Sequence, residues 1–158
     1  MEKKMTFDKF VSEYLSRGLM QKQKGSAADV EKLLVRSTKD LKTAKANLKI
    51  DEGIAYSVAY LAMLRAGRAF MLLKGFRPSD GYQHKTVVEF VHQVLGDEYG
   101  TIIGHFDRMR RKRNLFTYEI DISVSFKEAE NALHSAETFV NVIVEYVKRE
   151  DPQGRFKF

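Results

Sequence analysis

Residues 51–74 read DEGIAYSVAYLAMLRAGRAFMLLK, and this stretch decides the fold. Its apolar side chains cover most of the helical circumference, which is typical of a helix that other helices surround. Small residues recur along it and permit close contact with neighbouring helices: Gly53, Ala55, Ala59, Ala62, Ala66, Gly67 and Ala69. We therefore expect residues 51–74 to form the central helix of a bundle.

On both sides of this stretch, apolar residues recur at three- and four-residue steps, which predicts amphipathic helices. Before it come a segment that begins after Thr6 and a second helix that follows a break at Gly25-Ser26. After it come a loop at 75–81, a short helix that ends at Gly96, a helix at about 98–114 and a last helix from 126 to about 147. The pattern predicts an all-α protein, folded as an antiparallel bundle of four to five helices.

Two segments fall outside the predicted helices. Residues 118–125 alternate apolar and polar side chains, which is a strand-like period, but one short extended run among helices is better interpreted as an ordered connector. The tail at 151–158 is expected to be frayed and flexible. Because 158 residues is an ordinary length for one domain, we expect a single domain over 1–158 with its core at about 26–150.

Composition excludes several classes of protein. The chain has no cysteine, which excludes a disulfide scaffold, thiolate zinc sites and a cysteine nucleophile. No window approaches the roughly 18 apolar residues that a membrane-spanning helix needs, and no apolar run of signal-peptide length follows the N-terminus. We therefore expect a cytoplasmic protein that does not contact membranes. No spacing of histidines and carboxylates indicates a metal site, and no glycine-rich phosphate loop occurs, so neither a metal nor a cofactor is expected.

The net charge of +6 favours a polyanion such as nucleic acid, or an acidic protein, as the partner. Much of this charge lies in residues 108–113, where five of six side chains are cationic. Four of them predict a basic surface that binds nucleic acid: Arg108, Arg110, Arg111 and Lys112. A solvated basic face without a specific partner is the alternative interpretation.

Arg113 differs from its basic neighbours in its position on the helix. Apolar residues form one helical face before it: Tyr99, Ile102, Ile103, Phe106 and Met109. Arg113 is the next position on that face, so its guanidinium should point toward a core or an interface. Because an unpaired buried charge is costly, a cation at this position indicates a functional role. Capping of the helix end by Arg113 and Asn114 is the other interpretation.

Two stretches of the chain resemble a known family. The first carries Ala55-Tyr56, Arg68-Ala69, Leu72-Leu73-Lys74-Gly75, Arg77-Pro78 and His84. The second is Arg113-Asn114-Leu115-Phe116-Thr117-Tyr118, followed by a long apolar-patterned helix. In this order and spacing, over roughly residues 26–150, they resemble the HEPN superfamily, small helical bundles that are often paired with nucleotidyltransferases in prokaryotes. The resemblance implies a homodimer that binds RNA or nucleotides.

The resemblance also implies candidate catalytic residues. In ribonuclease members of the superfamily, an arginine and a polar residue precede a histidine, and the motifs of two subunits face each other across a cleft. Arg113 and Asn114 match the first two positions, and Tyr118 stands at the usual histidine position. A phenol with an ordinary pKa of about 10 exchanges protons poorly near neutral pH, although it can orient a phosphate or stack on a base. Toxin members carry a modifiable tyrosine two residues further on, where this chain has Ile120.

These features predict an RNA- or nucleotide-binding protein with Arg113, Asn114 and Tyr118 at its site. A weak or degenerate metal-independent ribonuclease of a toxin–antitoxin or defence type is the enzymatic form of this prediction, which Tyr118 leaves open. The alternative is a non-catalytic HEPN module that binds a nucleotidyltransferase or another protein. His84 follows Arg77 at a formally suitable spacing, but both bracket a loop before the basic helix. We therefore interpret His84 as a capping or packing residue.

Overall fold

The computed structural model describes residues 4–81, 83–119 and 121–151, which contain six α-helices and two short strands. In chain order these are α1 (Phe7–Ser16), β1 (Met20–Lys22), α2 (Ala27–Asn47), α3 (Glu52–Leu73), β2 (Phe76–Pro78), α4 (Gln83–Leu95), a 3₁₀ turn (Asp97–Tyr99), α5 (Gly100–Tyr118) and α6 (Phe126–Arg149). The prediction of an all-α helical bundle is confirmed. Five helices, α2 to α6, make the bundle, and the short α1 packs against α4.

The helix α3 is central, as its composition predicts. It contacts α2, α4, α5 and α6, and its five alanines are fully buried. Side-chain caps set where several helices begin. Thr6 and Asp51 accept a backbone hydrogen bond at the starts of α1 and α3, and Ser26 does so with Asp29 at the start of α2. Ser125 and Glu128 form the equivalent reciprocal pair at the start of α6.

A buried ion pair joins α2 to α3. Asp40 on α2 is 2% exposed, and its carboxylate binds Arg65 of α3 and Arg36 of α2. The hydroxyl of Ser37 donates to the carbonyl oxygen of Ala62 at 2.6 Å. Charged and polar groups therefore hold this side of α3 in a fixed register with α2.

The two short strands were not predicted from the sequence. The first helix ends at Ser16, before the expected break at Gly25-Ser26, and Gly18 then adopts the left-handed conformation, with φ at 70°. The chain turns there and forms β1, which pairs antiparallel with β2 inside the segment 75–81 that we predicted as a loop. Three-residue strands carry too few side chains to show a period, so only the tertiary pairing defines them.

The segment containing β2 also sets the direction of α4. Tyr60 contacts His84, and Phe70 contacts Phe90, so α4 runs in the same direction as α3 rather than antiparallel to it. An extended strand covers about 3.3 Å per residue, whereas a helix rises about 1.5 Å. The short extended return therefore brings the start of α4 back beside the middle of α3.

A glycine fixes how closely α4 approaches α3. A Cβ atom placed on Gly67 would lie 2.4 Å from Cγ1 of Val87 on α4, which is far inside van der Waals contact. The small residues of the central helix thus permit close packing, as predicted. Val87 itself is fully buried in this contact.

The helix α5 is longer than predicted. It continues to Tyr118, so Tyr118 lies in its last turn instead of the connector. The described connector residues, 119 and 121–125, form no strand. Ile120 and residues 152–158, where we predicted a flexible tail, lie outside the described residues. In the described ranges, each helix is too short or too polar to cross a bilayer.

Candidate functional site

The apolar face of α5 ends at Arg113. Ile103, Phe106 and Met109 on this face are buried in the core. Arg113 is partly buried at the end of the face, and its guanidinium carbon lies over the ring of Tyr60, 5.6 Å from the ring centroid. The guanidinium therefore rests on an aromatic side chain of α3, where the attraction is between a cation and the ring quadrupole.

Tyr60 also contacts a histidine from a third helix. Its hydroxyl oxygen lies 2.6 Å from Nδ1 of His84, near the start of α4. The two rings are nearly parallel, with an interplanar angle of 19° and centroids 5.7 Å apart. Helices α3, α4 and α5 thus each supply one side chain to what we call the Arg113–Tyr60–His84 cluster.

Burial disfavours the charged forms of both Tyr60 and His84. Tyr60 is 0% exposed, and burial raises the pKa of its phenol, against the opposing effect of Arg113 and Arg110. Burial lowers the pKa of His84, and the charges of Arg113, Arg110 and Arg68 lower it further. A neutral imidazole has one protonated and one unprotonated nitrogen, so its hydrogen bond decides which nitrogen faces outward.

Three of the basic side chains on α5 have carboxylate partners. Arg110 and Arg111 bind the two carboxylate oxygens of Asp107, at 2.9 and 3.5 Å. Lys112 binds Glu128 of α6, whose pKa is lowered mainly by that contact. The described part of the chain contains no carboxylate partner for Arg108 or Arg113. An external anion can therefore bind these two cations without displacing a carboxylate of the described residues.

Arg108 and Lys112 line a polar groove between α5 and α6. The groove has a volume of about 530 Å³, and its other lining side chains are Tyr56, His105, Glu128, Asn131, His134 and Ser135. Nδ1 of His105 lies 2.5 Å from the hydroxyl oxygen of Ser135. Burial, and then the charge of Arg108, lower the pKa of His105. The basic surface predicted from sequence thus contains a concave, polar region.

The structure does not bring Tyr118 to Arg113 within one chain. Five residues along an α-helix correspond to a rotation of roughly 140°, so the two side chains leave α5 in different directions. Tyr118 is 82% exposed, and Asn114 is also exposed. A Tyr118 side chain can therefore act at the Arg113 site only from another molecule or after a change in conformation.

The histidine at the site is one that the sequence pattern did not identify. His84, interpreted as a capping or packing residue, contacts Tyr60 beside Arg113. Arg77, the partner that the spacing suggested, instead binds Gln21 of β1. Residues 60, 84 and 113 are far apart in sequence, and helical periodicity contains no information about such contacts. Tyr60 and His84 do lie within the first of the two stretches that resemble the HEPN superfamily, and this resemblance is the signal in the sequence that could have indicated them.

Comparison with known families agrees with this architecture. The HEPN domain family matches residues 30–147, which is most of the chain and includes the whole cluster. Such a match indicates, in general terms, nucleotide or RNA binding or a ribonuclease-like function. A search of curated proteins finds no significant match. Because the family match extends over well more than half of its length, the chain belongs to the HEPN family.

Proposed function

We propose that this protein binds RNA through Arg113 and the neighbouring basic surface, and that it cleaves the bound RNA weakly without a metal ion. The observation that carries the proposal is the position of Arg113, a partly buried arginine that rests on Tyr60. No carboxylate in the described residues neutralises it. A toxin–antitoxin or defence role is the biological setting that we propose for such an activity.

The contact with Tyr60 prepares Arg113 to bind a phosphate. A guanidinium over an aromatic ring keeps its N–H donors, and the planar fork of those donors matches the oxygens of a phosphate. The ring also restricts the long side chain before binding, which reduces the entropy lost when the phosphate arrives. Arg113 is therefore suited to hold one backbone phosphate in a defined orientation.

The basic surface supplies the less specific part of the binding. Arg108 is exposed and without a carboxylate partner in the described ranges, whereas Arg110, Arg111 and Lys112 are each paired. Cations that neutralise phosphates release counterions, so the affinity should fall steeply as salt is added. We expect Arg108 and Arg113 to contribute most to that salt dependence.

We also propose that the functional unit is a homodimer. Tyr118 diverges from Arg113 within one chain, so a second copy is the simplest source of a tyrosine near the site. In this arrangement Asn114 and Tyr118 line the cleft between subunits and contact RNA bases or sugars. Mixing Arg113→Ala and Tyr118→Phe chains tests this directly, because a mixed dimer retains one site with both native side chains.

The proposal is tested by measuring binding and cleavage of a mixed, fluorescently labelled RNA pool. The Arg113→Ala variant should bind RNA about tenfold more weakly than the native protein at low salt, and cleavage should fall with it. Arg149→Ala is a matched control, since Arg149 also lies over a tyrosine ring, that of Tyr146, at 5.7 Å. Native protein without RNA affinity, or equal affinity for native protein and Arg113→Ala, would contradict the proposal.

A second function is favoured by a different observation. Leu115 and Tyr118, near the end of α5, are 45% and 82% exposed. Exposed apolar side chains beside a basic surface suit a protein partner, such as an acidic nucleotidyltransferase. Co-purification with a co-expressed nucleotidyltransferase, lost in a Leu115→Ser/Tyr118→Ser variant, together with absent RNA binding, would favour this function over the first.

A further inference from the structure

The histidine of the Arg113–Tyr60–His84 cluster has no role in the function proposed above. His84 comes from α4 and lies outside the basic helix, yet it contacts the same tyrosine as Arg113. It is half-buried. Its Nδ1 is occupied by the contact with Tyr60, and its Nε2 has no hydrogen-bond partner among the described residues. Whether Nε2 carries the ring proton therefore follows from the hydrogen bond at Nδ1.

Two arrangements of the proton between Tyr60 and His84 are conceivable. In one, the Tyr60 hydroxyl donates to Nδ1 of His84. In the other, Nδ1–H donates to the Tyr60 oxygen, and the hydroxyl proton of this fully buried phenol then lacks an acceptor among the described residues. A buried donor without an acceptor is costly. The first arrangement is therefore favoured, and it leaves the ring proton of His84 on Nε2.

We propose that His84 is a second phosphate ligand of the Arg113 site, a neutral imidazole that donates Nε2–H to a phosphate oxygen while Tyr60 fixes its tautomer. The inference deepens the proposed RNA-binding function and rests on it for the identity of the anion. Arg113 supplies the charge, and His84 supplies a directed hydrogen bond. Tyr60 is the positioning residue for both, since its ring holds Arg113 and its hydroxyl holds His84.

The charges around His84 support a neutral donor rather than a cation. Arg113 and Arg110 approach from α5 and Arg68 from α3, and all three disfavour protonation of the imidazole. Protonation would also turn Nδ1 into a donor and break the hydrogen bond that it accepts from Tyr60. The same three arginines act on the imidazole, so they also favour an anion in its surroundings. His84 and the arginines around it therefore suit the recognition of a phosphate.

The first test uses inorganic phosphate and the native protein, with NMR of the histidine ring nitrogens at pH 7.5. We expect His84 to have its proton on Nε2, and we expect phosphate to shift the His84 resonances. His92 is the internal control, because it is exposed and pairs with Asp97. The phosphate-induced shift should be lost in Arg113→Ala. A proton on Nδ1 of His84, or His84 resonances that do not respond to phosphate, would overturn the inference.

The second test uses RNA affinity. His84→Asn removes the Nε2–H donor and should weaken RNA binding about threefold, the typical effect of one lost hydrogen bond. Tyr60→Phe keeps the ring under Arg113 and removes only the hydroxyl, so any loss of affinity reports the tautomer of His84. His92→Asn should bind as the native protein does. Circular dichroism and thermal unfolding establish that each variant is folded, and native affinity in folded His84→Asn would overturn the inference.

The two tests separate this inference from the proposed function. If phosphate shifts His84 but the native protein does not bind RNA, the proposed function fails and the phosphate site stands. If RNA binds in an Arg113-dependent way while His84 responds to neither anion, RNA binding stands and the role of His84 fails.

Discussion

Two arginines lie on different sides of the central helix, one belonging to it and one packed against it from α5, and they are held in different ways. Toward α2, Arg65 binds the carboxylate of Asp40, whose side chain is 3% exposed. Toward α4 and α5, Arg113 lies over the ring of Tyr60, and no carboxylate among the described residues reaches it. The first arginine is neutralised within the fold, whereas the second keeps its charge.

This difference separates a structural contact from a binding contact. The carboxylate of Asp40 is buried and needs a cation, so removal of Arg65 would leave a buried charge without its main partner. A cation on an aromatic ring gains only modest energy from the ring and can bind an anion without losing an existing ion pair. Stability should therefore depend on the first contact, and RNA affinity on the second.

The largest effect is expected from Asp40→Ala. The substitution leaves Arg65 and Arg36 without their shared carboxylate and should lower the free energy of unfolding by about 2 kcal/mol, less than for a fully buried pair because both arginine side chains are partly exposed. Urea unfolding measures this change, with Glu137→Ala on the exposed side of α6 as the control. The RNA affinity of the folded variant should equal that of the native protein. A loss of stability below about 1 kcal/mol would show that Asp40 is not essential to the core.

A smaller effect, on binding alone, is expected from Arg113→Lys. Lysine keeps the charge but loses the planar fork of donors, so RNA affinity should fall about fivefold. The free energy of unfolding should change by less than about 1 kcal/mol, since lysine also places a cation over the ring of Tyr60. Fluorescence anisotropy and urea unfolding of the same preparations measure both quantities. Unchanged affinity would mean that only the charge of Arg113 matters.

Removing the carboxylate partner of a basic side chain should increase RNA affinity instead of decreasing it. Asp107→Asn removes the carboxylate that binds Arg110 and Arg111, so RNA affinity should increase about threefold and become more sensitive to salt. The affinity measured between 50 and 200 mM salt (roughly the range in which such effects are large) tests this. If affinity falls instead, Asp107 acts by orienting Arg110 rather than by neutralising it.

The smallest effect concerns pH. The pKa values of His84 and His105 are lowered in the folded protein, each chiefly by burial. The unfolded chain therefore takes up protons at a higher pH than the folded protein does, and stability should decrease as the pH falls below about 6.5. Between pH 7.5 and 5.5 we expect Tm to fall by about 2–3 °C. The His84→Asn variant should show a smaller decrease, and an equal one would exclude His84 as a source.

Much of the fold could be predicted because its signals are local. The central helix followed from residues 51–74, the start of the first helix followed from Thr6, and the direction of Arg113 followed from one helical face. The pairing of β1 with β2 and the direction of α4 could not be predicted in this way. Both depend on contacts between residues that are distant in sequence.

The site was predicted in part for the same reason. Spacing placed Arg113 toward other helices, but no spacing connects it to Tyr60 or His84, which come from two other helices. The pairing of Arg110 and Arg111 with Asp107 had a local signal that we did not use, because positions three and four apart on a helix are neighbours. This local signal distinguishes Arg110 and Arg111 from Arg108 and Arg113, whereas the pairing of Lys112 with Glu128 joins two helices and has no local signal.

Gly67 acts as a spacer for a site to which it contributes no side chain. It lies two helical turns after Tyr60, and its contact with Val87, three residues after His84, sets the gap between α3 and α4. A single methyl group there would push α4 outward and lengthen the distance from His84 to the Tyr60 hydroxyl, while every polar group remained in the sequence. The distances within the cluster therefore depend on the missing side chain of Gly67. A Gly67→Ala substitution would change those distances while leaving Arg113, Tyr60 and His84 in place.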